Sequence, residues 1–171
     1  MRTDKLYLVG FMAAGKTSLA RALGARLSWR VEDIDELIEA RERLTIADIF
    51  AQRGEPYFRV VERETLRLLL PLRHTIVATG GGTFADPENR AAINRDGLSV
   101  WLDVPFEEMV ARIPADGRRP LAGDREHLQR LFAIRQVCYA EATLRLDARR
   151  VPVGELVERV VEWLEDDPNL A

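Results

Sequence analysis

Residues 6–27 read LYLVGFMAAGKTSLARALGARL, and their reading decides the fold. Leu6 to Val9 is a short apolar run that ends at Gly10, the pattern of a buried strand. From Ser18 onward, Leu19, Ala20, Leu23 and Leu27 recur at helical spacing. Between the two, Gly10-Phe-Met-Ala-Ala-Gly15-Lys16-Thr17 meets the pattern GxxxxGK[ST] at every fixed position, in the strand-to-helix context that the motif requires. Glycine permits a tight turn that points successive N–H groups inward, and the helix start adds partial positive charge. The ammonium of Lys16 then reaches the β- and γ-phosphates of a nucleotide, and the Thr17 hydroxyl ligates Mg²⁺. A plain Gly-rich turn explains the segment poorly. Lys16 is one of only two lysines in the chain, and it occupies the required slot.

Outward from this loop, apolar runs and helical patterns alternate. Strands are predicted at Trp29 to Glu32, Thr75 to Thr79, Leu98 to Asp103 and Thr143 to Leu146. Helices are predicted after Asp35 to about Arg43, from Thr45-Ile-Ala-Asp48 to near Gly54, and from Glu55-Pro56 to about Leu70. Asp86-Pro87-Glu88 opens another, Pro105 begins one to about Ile113, and further helices cover about Arg125 to Glu141 and Gly154 to Leu164. The acidic end Glu165-Asp-Asp167 is expected to fray. Pro114 to Asp124, rich in Pro, Gly and Arg, reads as a loop. Five strands separated by helices imply a three-layer α/β/α fold with a parallel sheet. Ligands of such sheets sit beyond the carboxyl ends of the strands. That rule gathers Gly10–Thr17, Asp33–Asp35, Gly80–Gly82 and the 114–124 loop at one rim.

Composition narrows the classes. A chain of 171 residues supports one domain with a sizeable core. The formal charge of −3 argues against a general nucleic-acid or anionic-membrane binder. Cys138 is alone, so neither an internal disulfide nor a cysteine zinc site fits, and His74 and His127 form no HExxH pair. No run approaches the roughly 18 apolar residues that cross a bilayer. Leu6–Ala14 mimics a short signal segment, but Lys16 follows closely and no typical cleavage site comes after it, so a cytoplasmic location is expected.

Candidate chemistry lies at the predicted rim. Asp33 and Asp35 are two apart, so an extended segment would face both to one side. One could hold the water shell of Mg²⁺ and the other accept a proton from an attacking hydroxyl. Helix capping by one of them is the competing explanation. Gly80-Gly81-Gly82 ends the strand expected beside the phosphate-loop strand, where a backbone must approach a ligand. Arg59 and Arg135 sit on predicted helices and alone would be solvated charges. Arg118 and Arg119 in the Gly/Pro loop could close over transferring phosphate, with Arg112 a weaker candidate and Arg149-Arg150 again at the rim.

At this point the chain resembles the shikimate kinase family of nucleoside-monophosphate-kinase-like enzymes, over about residues 5–164. The marks are GFMAAGKT, EDIDELIE, IADIFAQRGEPYFRVVE, ATGGGT, GRRPLAG, IRQVCYAEA and DARRVP, in that order. The resemblance implies transfer of the ATP γ-phosphoryl group to the 3-hydroxyl of shikimate in aromatic amino-acid biosynthesis, with one Mg²⁺ per subunit and a monomeric enzyme. It implies Asp35 as base, Asp33 supporting Mg²⁺ through water, and catalytic roles for Lys16 and Arg119. Arg59, Gly81 and Arg135 would hold the substrate carboxylate. ATP would meet Ala13, Ala14, Gly15, Lys16, Thr17, Ser18 and Arg119, with Arg150 by the adenine. Residues 33–62 would form the substrate-binding segment and 112–124 the lid of a single domain, 1–171. Ala13 stands where the family commonly has Gly, and Ala122 where a larger apolar residue is usual. The rival readings are a gluconate or nucleotide kinase of the same group, and a nucleotide-binding module without catalysis.

Overall fold

A computed structural model of the chain describes residues 4–113 and 124–166. Five strands form one all-parallel sheet: β1 (Lys5–Val9), β2 (Arg30–Asp33), β3 (Thr75–Ala78), β4 (Leu98–Asp103) and β5 (Leu144–Asp147). Their spatial order is β2-β3-β1-β4-β5. Around them lie α1 (Lys16–Leu27), α2 (Ile34–Glu42), α3 (Ile46–Leu69), α4 (Pro87–Asp96), α5 (Phe106–Arg112), α6 (Arg125–Tyr139) and α7 (Val153–Asp166). The three-layer α/β/α arrangement read from the alternation is the one observed.

Every residue of β1 is buried, which explains its unbroken apolar run. The strand sits at the sheet centre, and the chain visits β2 and β3 on one side before β4 and β5 on the other. The carboxyl ends of β1 and β3 therefore flank the point where the winding reverses, the usual crevice for a ligand. Below the sheet, α7 lays Leu156, Val157, Val160 and Val161 into the core. At the opposite end from the crevice, the buried Lys5 ammonium pairs with Asp96 at 2.8 Å and donates to the carbonyls of Leu69 and Leu70.

The caps follow the sequence. Asp86 accepts from the Glu88 and Asn89 N–H groups ahead of Pro87. Thr45 accepts from the Asp48 N–H at 3.1 Å while its hydroxyl donates to the Asp48 carboxylate at 2.7 Å.

The break predicted at Gly54 is present: Gly54 leaves helical geometry (φ 82°, ψ 167°), so α3 consists of two helical stretches that meet at a kink, with Pro56 in the first turn of the second. Two expectations need correction. The last helix continues through Asp166 rather than fraying at Glu165. Asp33 and Asp35 do not share an extended segment: Asp33 ends β2 and Asp35 is already in the first turn of α2. The Asp33 carboxylate, by capping α2 through the Asp35 and Glu36 N–H groups, turns the chain before the second acid.

Candidate active site

The phosphate loop is shaped by three residues in left-handed or related backbone: Gly10 (φ 140°), Ala13 (φ 58°) and Gly15 (φ 100°). Gly15 is the residue just before α1, so Lys16, Thr17 and Ser18 form the first turn of that helix, where N–H groups have no intrahelical acceptor. Lys16 is 8% exposed and its Nζ donates to the carbonyls of Gly10 and Phe11 at 2.9 and 2.7 Å. The ammonium is thus held over the loop that it helps to close.

Thr17 Oγ donates to Asp33 Oδ2 at 2.6 Å. Capping of α2 by Asp33 does not remove it from the phosphate loop. One carboxylate oxygen caps α2 and the other faces the phosphate loop. A hydroxyl and a carboxylate in contact at the start of α1 are hard oxygen donors of the kind Mg²⁺ takes alongside substrate phosphates. The residues present fit the ion.

Beyond the loop opens a cleft of about 570 Å³, in the range that suits a small-molecule ligand. It brings together Ala13, Gly15, Lys16, Thr17, Ser18, Asp33, Asp35, Arg59, Gly81 and Arg135, ten of the residues singled out from the sequence. Arg112 also borders it, although its guanidinium is paired with Glu108 at 2.6 Å. Two candidates are not in the lining. Ala14 is 4% exposed and its N–H donates to the Phe11 carbonyl inside the loop. Arg150 is exposed in the turn after β5, in left-handed backbone (φ 49°), with its N–H on Glu108. Arg119, Arg118 and Ala122 lie outside the described residues.

The floor of the cleft is the glycine triplet after β3. A Cβ at Gly80 would lie 2.9 Å from Asp35 Oδ1 and 3.0 Å from Glu62 Oε1, so only glycine leaves room for these two carboxylates. Glu62, on α3, was not singled out from the sequence. It is 1% exposed, accepts from Arg59 Nη1 at 2.8 Å and from the Thr83 hydroxyl at 2.7 Å, and so fixes Arg59. The i, i+3 spacing of Arg59 and Glu62 was the available signal. Glu55 holds the same guanidinium from the preceding turn, at 3.0 Å.

Arg135 is 5% exposed and has no carboxylate within 4 Å among the described residues. Burial, reinforced by the nearby Arg59 charge, pushes its guanidinium below the ordinary arginine value. Burial also opposes the charge of Arg59, but Glu62 and Glu55 outweigh it and raise that group. The guanidinium of Arg135 stacks over the Phe11 ring at 5.4 Å. Glu62 and Glu55 are both spent on the half-buried Arg59, whereas the buried Arg135 borders the same cleft without a carboxylate partner among the described residues, which leaves an electrostatic place for a further anion. Ile46, Phe50 and Phe58, which were not singled out from the sequence, supply an apolar wall.

Comparisons with known proteins agree with this geometry. The sequence profile of the family described as shikimate kinase matches residues 12–165. The chain belongs to the shikimate kinase family. The shikimate kinase of Persephonella marina is 36% identical over 157 residues, covering 91% of this chain and 96% of that one. That of Geobacter metallireducens is 38% identical over 161 residues, covering 92% and 90%. Among solved structures, shikimate kinase from Acinetobacter baumannii in complex with shikimate superposes with a TM-score of 0.93 at 30% identity, over 97% of this chain and 95% of that one. A deoxyadenosine kinase of M. mycoides, 16% identical with a TM-score of 0.67 over 95% of this chain and 100% of its own, shares the fold.

Proposed function

We propose that this chain is an ATP-dependent shikimate kinase, which moves the γ-phosphoryl group of ATP to the 3-hydroxyl of shikimate. The observation that carries the reading is the pairing of a phosphate loop with a cleft bordered by the buried Arg135, the half-buried Arg59 and a carboxylate over Gly80. An anionic, hydroxylated ring suits that cleft: a planar carboxylate meets two forked guanidiniums, and a hydroxyl meets an acid.

Positioning and charge neutralisation do most of the work in such a transfer. Arg59 and Arg135, with the Gly81 backbone, orient the substrate by its carboxylate. Asp35 accepts the proton of the attacking hydroxyl. Lys16 and the N–H groups of the first turn of α1 grip the phosphates. Mg²⁺ would be held by Thr17 and, through water, by Asp33, and would supply positive charge that neutralises the phosphates. Following the family resemblance, Arg119 adds positive charge at the phosphates, Arg150 flanks the adenine, residues 33–62 act as the substrate-binding segment and residues 112–124 as the lid. The same resemblance supports a monomer working in the cytoplasm; among the described residues no helix is long and apolar enough to cross a membrane.

A coupled assay of ADP release tests the reading. Shikimate should drive Mg²⁺-dependent turnover, and gluconate and nucleoside monophosphates should give only background. Turnover with one of the other acceptors instead would reassign the substrate. Binding of ATP without turnover on any acceptor would leave a nucleotide-binding module.

A further inference from the structure

We propose that Tyr139 is a positioning residue for the substrate carboxylate: its hydroxyl fixes the Gly81–Gly82 peptide from behind and so aims the floor of the cleft at the ligand. The inference rests on the shikimate kinase reading above and deepens it.

Tyr139 is the last residue of α6, one helical turn after Arg135. Its side chain is completely buried, with the ring 6.0 Å from that of Trp101 on β4. The hydroxyl donates to the Gly81 carbonyl. A buried tyrosine hydroxyl must find a partner; this one donates to a loop 58 residues away, and its oxygen also takes a hydrogen bond from Arg135 on its own helix.

Peptide planarity turns that bond into an orienting device. In a trans peptide the N–H points away from the C=O. Holding the Gly81 carbonyl toward Tyr139 therefore directs the Gly82 N–H to the opposite side. The preceding peptide is fixed in the same way, because the Gly80 carbonyl accepts from the Thr83 N–H at 3.2 Å. Neither the Gly81 N–H nor the Gly82 N–H has a protein acceptor among the described residues, and both glycines line the cleft.

The fit around this backbone is tight. A Cβ on Gly81 would stand 3.2 Å from the Met12 nitrogen of the phosphate loop and 3.3 Å from Arg135 Nη1, and one on Gly82 would stand 2.5 Å from Arg59 Nη1. The peptide thus lies between the two guanidiniums, and against the loop that holds phosphate. Burial keeps the phenol protonated far above neutrality, so the donor is constant across the working pH range. A hydroxyl that only packed a ring would not need this partner. Here it sets the plane of a peptide that lies between the two guanidiniums.

The test is Tyr139→Phe, which removes one oxygen and keeps the ring against Trp101. The KM for shikimate should rise about three- to tenfold, with kcat and the KM for ATP within about twofold of the parent. A shikimate analogue whose carboxylate is reduced to an alcohol should bind parent and variant equally. An unchanged KM for shikimate would overturn the proposal, as would equal losses for shikimate and ATP with a lowered Tm, the mark of general loosening. Should the variant not fold, the native chain labelled with 3-fluorotyrosine gives a second reading, since its tyrosines are Tyr7, Tyr57 and Tyr139. The ¹⁹F signal of Tyr139 should shift on saturation with shikimate and not with a non-hydrolysable ATP analogue; no shift with shikimate would equally remove the assignment. Absence of shikimate turnover in the parent is a different result and would fall on the function itself.

Discussion

Thr17 and Asp33 meet at 2.6 Å, joining the first turn of α1 to the last residue of β2. The contact places a hydroxyl and a carboxylate side by side where the phosphate loop opens into the cleft. The Asp33→Asn variant separates its two duties, because asparagine caps a helix as well as aspartate does but carries no charge. The Mg²⁺ concentration for half-maximal rate should rise by about tenfold, with Tm nearly constant. Magnesium titrations of initial rate check this. An unaltered Mg²⁺ requirement would take Asp33 out of the ion's surroundings.

In the proposed reaction the second carboxylate is the proton acceptor. Asp35 lies over Gly80, across the cleft floor from Glu62. Asp35→Asn keeps the shape and removes the proton acceptor, so kcat should fall by about 10²-fold or more while ATP still binds. Rapid-mixing kinetics and a nucleotide-binding titration read the two quantities apart. Turnover close to that of the parent would reject the base assignment.

Arg59 owes its geometry to Glu55 and Glu62, which hold it from the turn before and the turn after on the same helix face. Arg59→Lys keeps the charge and loses the fork, so the KM for shikimate should rise about tenfold with a smaller change in kcat. Glu62→Gln should produce part of the same effect by freeing the guanidinium. If both variants kept the parent KM, the carboxylate would have to dock elsewhere.

Legibility in the sequence followed the range of the physics. The strand, loop and helix around Gly10–Thr17 are local, so residues 6–27 defined them. The caps at Thr45 and Asp86 are also local and appeared where their side chains stood. The rim rule for parallel sheets then carried Asp35, Gly81 and Lys16 to one place without any knowledge of distances. What failed was long-range or conformational. The capping turn at Asp33 competes with an extended segment, and only the fold decides between them. The Tyr139 hydroxyl meets Gly81, 58 residues away, and Glu62, though within helical reach of Arg59, is anchored by Thr83, 21 residues away; no spacing rule reaches those two partners.

Ala13 carries a measurable strain. It is a non-glycine residue at φ 58° inside the phosphate loop. Left-handed backbone costs an L-residue about 1 kcal/mol relative to glycine, partly offset by the greater freedom of glycine in the unfolded chain. Ala13→Gly should therefore stabilise by about 0.5 kcal/mol and raise Tm by about 1–2 °C, in a chain of this size. Differential scanning calorimetry of the two proteins checks it. A lower Tm would mean that the methyl group contributes packing that outweighs the backbone strain.

The last prediction concerns the far end of the sheet, away from the chemistry. Asp96 accepts from the Tyr7 hydroxyl and from Arg73 Nη1, and pairs with the buried Lys5 at 2.8 Å. Burial alone would raise its carboxyl above the ordinary 3.8, but the bonds from Lys5, Tyr7 and Arg73 prevail and lower it. A carboxylate lowered in the folded state stabilises fully above its unfolded value and loses that contribution as pH falls through the folded one. The native protein should therefore lose stability below about pH 3.8 partly through Asp96. Burial lowers Lys5 below 10.5, so its ammonium is disfavoured inside and the fold gains stability as pH climbs toward that value. Asp96→Asn removes the counter-charge and should cost about 3 kcal/mol at neutral pH, as breaking a buried pair does. It should also flatten the acid limb and steepen the alkaline gain, because Lys5 is then easier to deprotonate. Urea unfolding from pH 3 to pH 10 reads both limbs. Parallel curves for parent and variant, offset by a constant, would show that the Lys5–Asp96 pair is not what titrates.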